Sequence, residues 1–210
     1  DWETWCGPTP VVPYNIDLFT PRANPGWLSF RPYSGGEMTG WGTHGFDQIQ
    51  CALGTEMTGP TDIFVEEGAE KLVPPVYDKA EPATRGNEIC SKPRLAYRYA
   101  NGIVVTLGNA NRGGGIFVGE KGKMEIFRGA LKSNPPEIAE EILKDERKNG
   151  DHIDNWLTCI MTGERPISDI AIGRRSAAIC HLLNIARYLG RSLKWDPEKE
   201  VFIDDEEANS

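Results

Sequence analysis

The chain has 210 residues, of which 39% are hydrophobic and 26% charged, and a net charge of −8. That suffices for one domain with a real core. Nucleic acid and anionic membrane are excluded as expected partners, because no basic cluster exceeds short pairs such as Arg174-Arg175. No apolar run approaches the roughly 20 residues of a membrane span, so no membrane insertion is expected. The five cysteines, Cys6, Cys51, Cys90, Cys159 and Cys180, form no Cys-x-x-Cys pair. They read as buried free thiols, with no metal site. The chain opens at Asp1-Trp2 without a methionine and without a visible signal peptide. It reads as a fragment whose compartment, cytoplasmic or exported, is hidden.

Residues 1–34 hold Pro8, Pro10, Pro13, Pro21, Pro25 and Pro32 among Trp2, Trp5, Tyr14, Trp27 and Tyr33. The prolines forbid a long helix and the aromatics argue against disorder. An extended segment is expected, with a short strand near Trp27–Phe30; Tyr14, Asn15 and Tyr33 are candidates for a pocket wall. Residues 35–54 give a glycine-rich turn, with Gly35, Gly36, Gly40, Gly42 and Gly45, and then a helix over 40–53. Phe46, Ile49 and Leu53 mark its apolar face, and Gly54 stops it. His44, Asp47, Gln48 and Cys51 fall on a more polar face.

A sheet is expected over 60–127, interrupted by a long insertion at 67–93. Its first strand follows Gly59-Pro60. Leu95–Tyr99 and Ile103–Leu107 flank Asn101-Gly102, which suits a two-residue hairpin turn. Ile116–Val118 and Lys123–Phe127 make a second hairpin around Gly119-Glu120-Lys121-Gly122. The triple glycine at 113–115 lacks the Lys-Ser/Thr and the helix of a phosphate loop. Helices are expected over 135–144, 151–162 and from about 168 to 189, ended by Gly163 and Gly190. A short strand at Leu193–Trp195 and a solvated acidic tail, Asp204–Glu207, complete 191–210. Strands in the middle and helices after them argue an α+β fold, with an open, mainly antiparallel sheet and helices on one face.

Three histidines occur, His44, His152 and His181. His152 reads as part of a helix start. His181 lies mid-helix near Asn184, where a satisfied buried imidazole is an alternative to a functional one. His44, where the glycine-rich loop becomes periodic, is the candidate for proton transfer. No nucleophile elbow and no metal-ligand spacing is present.

Several words together resemble one family. They are Asp1-Trp-Glu-Thr-Trp-Cys-Gly-Pro-Thr-Pro10, Pro13-Tyr-Asn15, Gly35-Gly36 through His44 to Asp47 and Gly119-Glu-Lys-Gly122. Ile172-Gly-Arg-Arg-Ser176, Cys180-His-Leu-Leu-Asn184 and Leu193-Lys-Trp-Asp-Pro197 complete the set. In this order they resemble the C-terminal domain of bacterial Gfo/Idh/MocA oxidoreductases, closest to a planctomycete-like subgroup, over essentially all 210 residues.

The resemblance implies a parent whose N-terminal Rossmann domain binds NAD or NADP and carries the catalytic lysine of a Glu-Lys-Pro motif. Neither a Gly-x-Gly-x-x-Gly fingerprint after a strand nor that motif is present here. This chain is then the substrate-binding and oligomerisation half, a homo-oligomer through its sheet face. By itself it is expected to be inactive and to bind no cofactor tightly. His44 matches the family's active-site histidine, while the expected aspartate one turn earlier is Gly40. Tyr14, Asn15, Trp41, Arg175 and His181 are the candidate substrate-binding residues, chosen on polarity and resemblance. The expected substrate is a sugar, polyol or related carbohydrate derivative. A redox-neutral, NAD-dependent glycosidase and a non-catalytic binding or dimerisation module remain alternatives.

Overall fold

The structure is a computed structural model that describes residues 1–19, 26–72, 93–108, 114–127, 129–144 and 151–210. Cys90, Gly113 and most of the insertion expected at 67–93 lie outside the described residues. The α+β expectation holds: helices accompany strands whose pairings are all antiparallel.

The N-terminal segment coils more than expected. Helices α1 (Trp2–Cys6) and α2 (Ile16–Phe19) are short, as the prolines require. Asp1 caps α1 by accepting the Thr4 N–H. Where a strand was expected near Trp27–Phe30, the chain makes a 3-10 turn, Trp27–Ser29, closed by a bond from Phe30 N to Trp27 O. That turn buries both Leu28 and Phe30, which strand alternation would also have placed on one side but without a ladder to satisfy the backbone.

Helix α3 runs over Gly36–Leu53, so it starts before the expected residue 40 and takes the glycines into its first turns. Local propensity opposes this; packing against the later helix α6 (Ile170–Leu189) overrides it. Asp169 caps α6 through the Ala171 N–H, and Gly190 ends it at φ 66°. The two helices run antiparallel, since Gly35 meets Asn184, Thr43 meets Cys180, and Gln50 meets Ser176.

Strands β1 (Pro60–Val65), β2 (Leu95–Tyr99) and β3 (Val104–Thr106) form a meander. The β2–β3 turn is a three-residue loop, not the expected two-residue one. Tyr99 pairs with Ile103, and only Gly102 takes positive φ, at 88°. Strands β7 (Leu193–Asp196) and β8 (Val201–Phe202) return from the C-terminal end to give the order β3-β2-β1-β7-β8. The remaining strands make a second sheet, β4 (Gly115–Gly119), β5 (Gly122–Phe127) and β6 (Ala130–Asn134), instead of extending the first. Strand β6 was not anticipated; Ala-Leu-Lys-Ser-Asn lacks the β-branched residues that mark strands.

Helices α3 and α6 cover one face of the five-stranded sheet. Ile63, Leu95, Tyr97, Tyr99 and Leu193 point inward against Phe46, Ile179, Cys180, Leu183 and Ala186. The Phe46 and Tyr97 rings meet edge-on, with centroids 5.8 Å apart. Burial pushes the Tyr97 and Tyr99 phenols above their ordinary pKa. The outer face is mixed: Arg98 pairs with Asp62 and lies over Phe64, beside Lys194. Helices α4 (Glu137–Leu143) and α5 (His152–Thr162) connect the small sheet to α6.

The thiols divide. Cys6 and Cys180 are buried, Cys159 is half-buried and Cys51 is exposed on α3, which corrects the uniformly buried reading. The acidic tail is also not simply solvated. It forms the short helix α7 (Glu206–Asn209), and Arg191 grips both Asp205 and Glu207, while Lys71 pairs with Glu207. The guanidinium just beyond Gly190 gives these carboxylates an opposite charge to dock on. Among the described residues no helix is long and apolar enough to cross a membrane.

Arg191, aided by the Ala208 N–H, holds the Asp205 carboxyl down at about 2. A carboxyl depressed in the folded state stabilises it above the unfolded value of about 4 and loses that contribution as pH falls through the folded one. Asp205→Asn is therefore expected to lower the urea midpoint at pH 7. The gap from the parent chain should close between about pH 4 and pH 2.

Candidate functional site

The site grows from the seam between α3 and α6. Ser176 is buried, and its Oγ donates to Asp47 Oδ1 at 2.7 Å while accepting from Gln50 Nε2 at 3.0 Å. Gln50, fully buried, also accepts from the Tyr99 hydroxyl at 3.4 Å, linking both helices to β2. At the other end Asn184 Nδ2 donates to Gly35 O at 2.7 Å. Thr39 and Thr43 satisfy their hydroxyls on the carbonyls of Gly36 and Thr39. Polar groups thus close the seam at its ends and middle, and α3 is fixed in rotation.

That rotation decides what faces solvent. His44 is exposed and Trp41 half-buried; their rings lie 5.8 Å apart and tilted. Gln48 Nε2 holds the His44 carbonyl from the next turn at 2.9 Å. Thr43 and Cys180 form a contact pair across the seam, 3.4 Å apart. In an antiparallel pair of right-handed helices, the residues that follow such a contact emerge on the same side. His44 and His181 are those residues. His181 is exposed, so the buried-imidazole reading does not apply.

The other candidates are placed differently. Arg175 precedes Ser176 and so leaves α6 on the opposite side of the seam. With Arg174, whose ion pair is the larger influence, it holds the Glu200 carboxyl below the usual range. Tyr14 is 59% exposed and stands edge-on to Trp2, which stacks on Trp5 at 4.6 Å. Asn15 caps α2. This aromatic cluster reaches Tyr33 through Trp5, and Tyr33 leads directly into α3. His44 lies eight residues past Gly36, about 12 Å along the helix. The structure therefore joins Trp41, His44 and His181 on one side, sets Tyr14 and Asn15 at the helix entrance, and turns Arg175 away. Among the described residues no three metal-binding side chains converge.

Ser176, Gln50 and Asn184 were missed as organising residues. The available signal was the spacing of four between Ser176, Cys180 and Asn184, a polar stripe on an otherwise apolar helix. Their partners, 49 to 149 positions away, leave no local trace.

A family model described as "Oxidoreductase family, C-terminal alpha/beta domain" matches residues 1–210. The chain belongs to the Gfo/Idh/MocA oxidoreductase family. It corresponds to that family's C-terminal domain, and an oxidoreductase is the protein of which such a domain is part. Searches among curated proteins and among solved structures return no significant match.

A Cβ at Gly35 would lie 2.3 Å from Thr39 Cγ2 and 3.0 Å from Asn184 Nδ2. Gly35→Ala is expected to destabilise the chain by about 1–3 kcal/mol through overpacking of the seam. Gly173, in α6 with open space where its Cβ would go, is the control: Gly173→Ala should stabilise by up to about 1 kcal/mol. Urea midpoints of both variants check this.

Proposed function

We propose that this domain binds the substrate of an NAD(P)-dependent oxidoreductase acting on a sugar, polyol or related carbohydrate derivative. The observation that carries the reading is the exposed His44 imidazole beside the Trp41 ring, on a helix whose rotation is fixed by buried hydrogen bonds. Membership of the oxidoreductase family supplies the reaction class.

The described residues do not fit a dinucleotide cradle. Such a cradle needs a parallel strand, a glycine-rich turn and a helix N-terminus, and every strand pairing here is antiparallel. NAD or NADP is therefore assigned to an N-terminal domain of the parent. This domain's contribution is to bind, orient and exchange protons.

His44 can take a proton from a substrate hydroxyl, or return one to a carbonyl oxygen, because its imidazole is open to the ligand side. Trp41 offers an apolar ring face against which the C–H face of a sugar can pack. His181, on the same side, can hydrogen-bond a neighbouring hydroxyl. With Gly40 one turn before His44, no side chain from that position reaches the imidazole. Tyr14 and Asn15, at the entrance to α3, suit the far end of an extended substrate.

The test is His44→Gln in the full-length oxidoreductase, assayed with a panel of sugars and polyols. Loss of about 10²–10⁴-fold in kcat is expected for a removed general acid–base group. Unchanged turnover would remove His44 from the chemistry. Turnover without net reduction of NAD(P) would assign the protein to redox-neutral glycoside cleavage instead.

A further inference from the structure

Two imidazoles leave the same side of the α3–α6 seam. Thr43 and Cys180 meet across it at 3.4 Å, and the residues that follow them, His44 and His181, are both exposed. One step along a helix turns the side chain by about 100° and advances it by about 1.5 Å. Because α3 and α6 run antiparallel, the two steps turn toward the same side but advance in opposite directions. The two side chains therefore stand nearly parallel, offset by about 3 Å along the seam. His181 is displaced toward the turn that holds Gly40, where α3 carries no side chain.

We propose that His181 is a specificity-determining residue: it hydrogen-bonds the hydroxyl on the carbon next to the one that reacts at His44, and so selects a vicinal diol. The inference rests on the role given to His44 above and names the substrate class within it. No covalent bond is made or broken at His181.

The neighbours of His181 are the first argument. Ala177, three residues before Cys180 on the same side, has no polar group. Asn184, one turn after, commits its Nδ2 to Gly35 O, and its Oδ1 is closed to solvent. The Thr43 hydroxyl is engaged by Thr39 O and Cys180. Among the described residues the His181 ring has no hydrogen-bond or ion-pair partner. It is thus the group across the seam from His44 that is open to a ligand.

Spacing is the second argument. Packed helices lie about 8–10 Å apart, and the ring that His44 meets is Trp41, not His181. Hydrogen bonds of about 3 Å from each imidazole leave about 2–4 Å between the two substrate atoms that they reach. That is the separation of oxygens on adjacent carbons. Chemistry is the third. A hydroxyl both donates and accepts, so it pairs with a neutral imidazole in either tautomer. A carboxylate in place of the second hydroxyl would meet the like charge of Asp47, one turn beyond His44.

The test uses the full-length oxidoreductase with methyl glycosides of glucose, galactose and mannose and with myo-inositol. Each is compared with deoxy analogues that lack the hydroxyl next to the oxidised carbon or one remote from it. The parent enzyme is expected to prefer the intact compound over the adjacent-deoxy analogue by at least about tenfold in kcat/KM. His181→Ala should lose about tenfold on the intact compound, in KM rather than kcat, and little on the adjacent-deoxy analogue. His181→Gln, which keeps a donor and an acceptor, should recover part of the preference. An equal loss on both compounds, or none, overturns the proposal. His44→Gln separates the two ideas: if it abolishes turnover while His181→Ala leaves the preference intact, the role of His44 stands and that of His181 falls. Turnover that survives His44→Gln, or a panel with no substrate, removes both.

Discussion

The hydroxyl of Ser176 is the constraint on which most of this domain turns. It is buried between two helices that approach each other from opposite ends of the sequence, and it both donates, to Asp47, and accepts, from Gln50. Gln50 in turn meets the Tyr99 hydroxyl on the central part of the sheet. A buried polar group stripped of its partner costs about 1–3 kcal/mol. A slip of α3 by one residue would strand several at once, so the seam has one register.

That register explains the side of the seam that carries the candidate residues. The exposure of His44, its contact with Trp41 and its sharing of a side with His181 all follow from how α3 is turned against α6. The glycines at the start of α3 have the same origin. They weaken the helix locally, but Gly35 lets the Asn184 amide reach the backbone, and the packed seam offsets the loss. The outward positions are then free to carry chemistry while the inward ones hold the frame.

Much of this was legible in the sequence, and the limits have physical causes. Caps and stops marked α5 and α6 closely, because Asp151, Asp169, Gly163 and Gly190 act within a few residues of themselves. Gly119 and Gly122 set the second hairpin for the same reason. Helix α3 began early because a glycine-rich turn and a glycine-tolerant packed helix look alike without the partner helix. The return of Leu193 to pair with Ile63, the docking of Asp205 on Arg191 and the third strand of the small sheet are long-range or weakly patterned choices. Of the site, His44 and Trp41 stood out by type and by resemblance. Ser176 and Gln50 did not, since a buried serine is defined by what it touches.

A double-mutant cycle between Gln50 and Ser176 tests the central constraint most directly. Ser176→Ala, Gln50→Leu and the double variant are compared by urea unfolding. If the seam depends on their bond, each single change is costly and the pair shows a coupling of about 1 kcal/mol or more. Additive effects, within about 0.5 kcal/mol, would contradict it and leave α3 without the interaction that fixes its rotation.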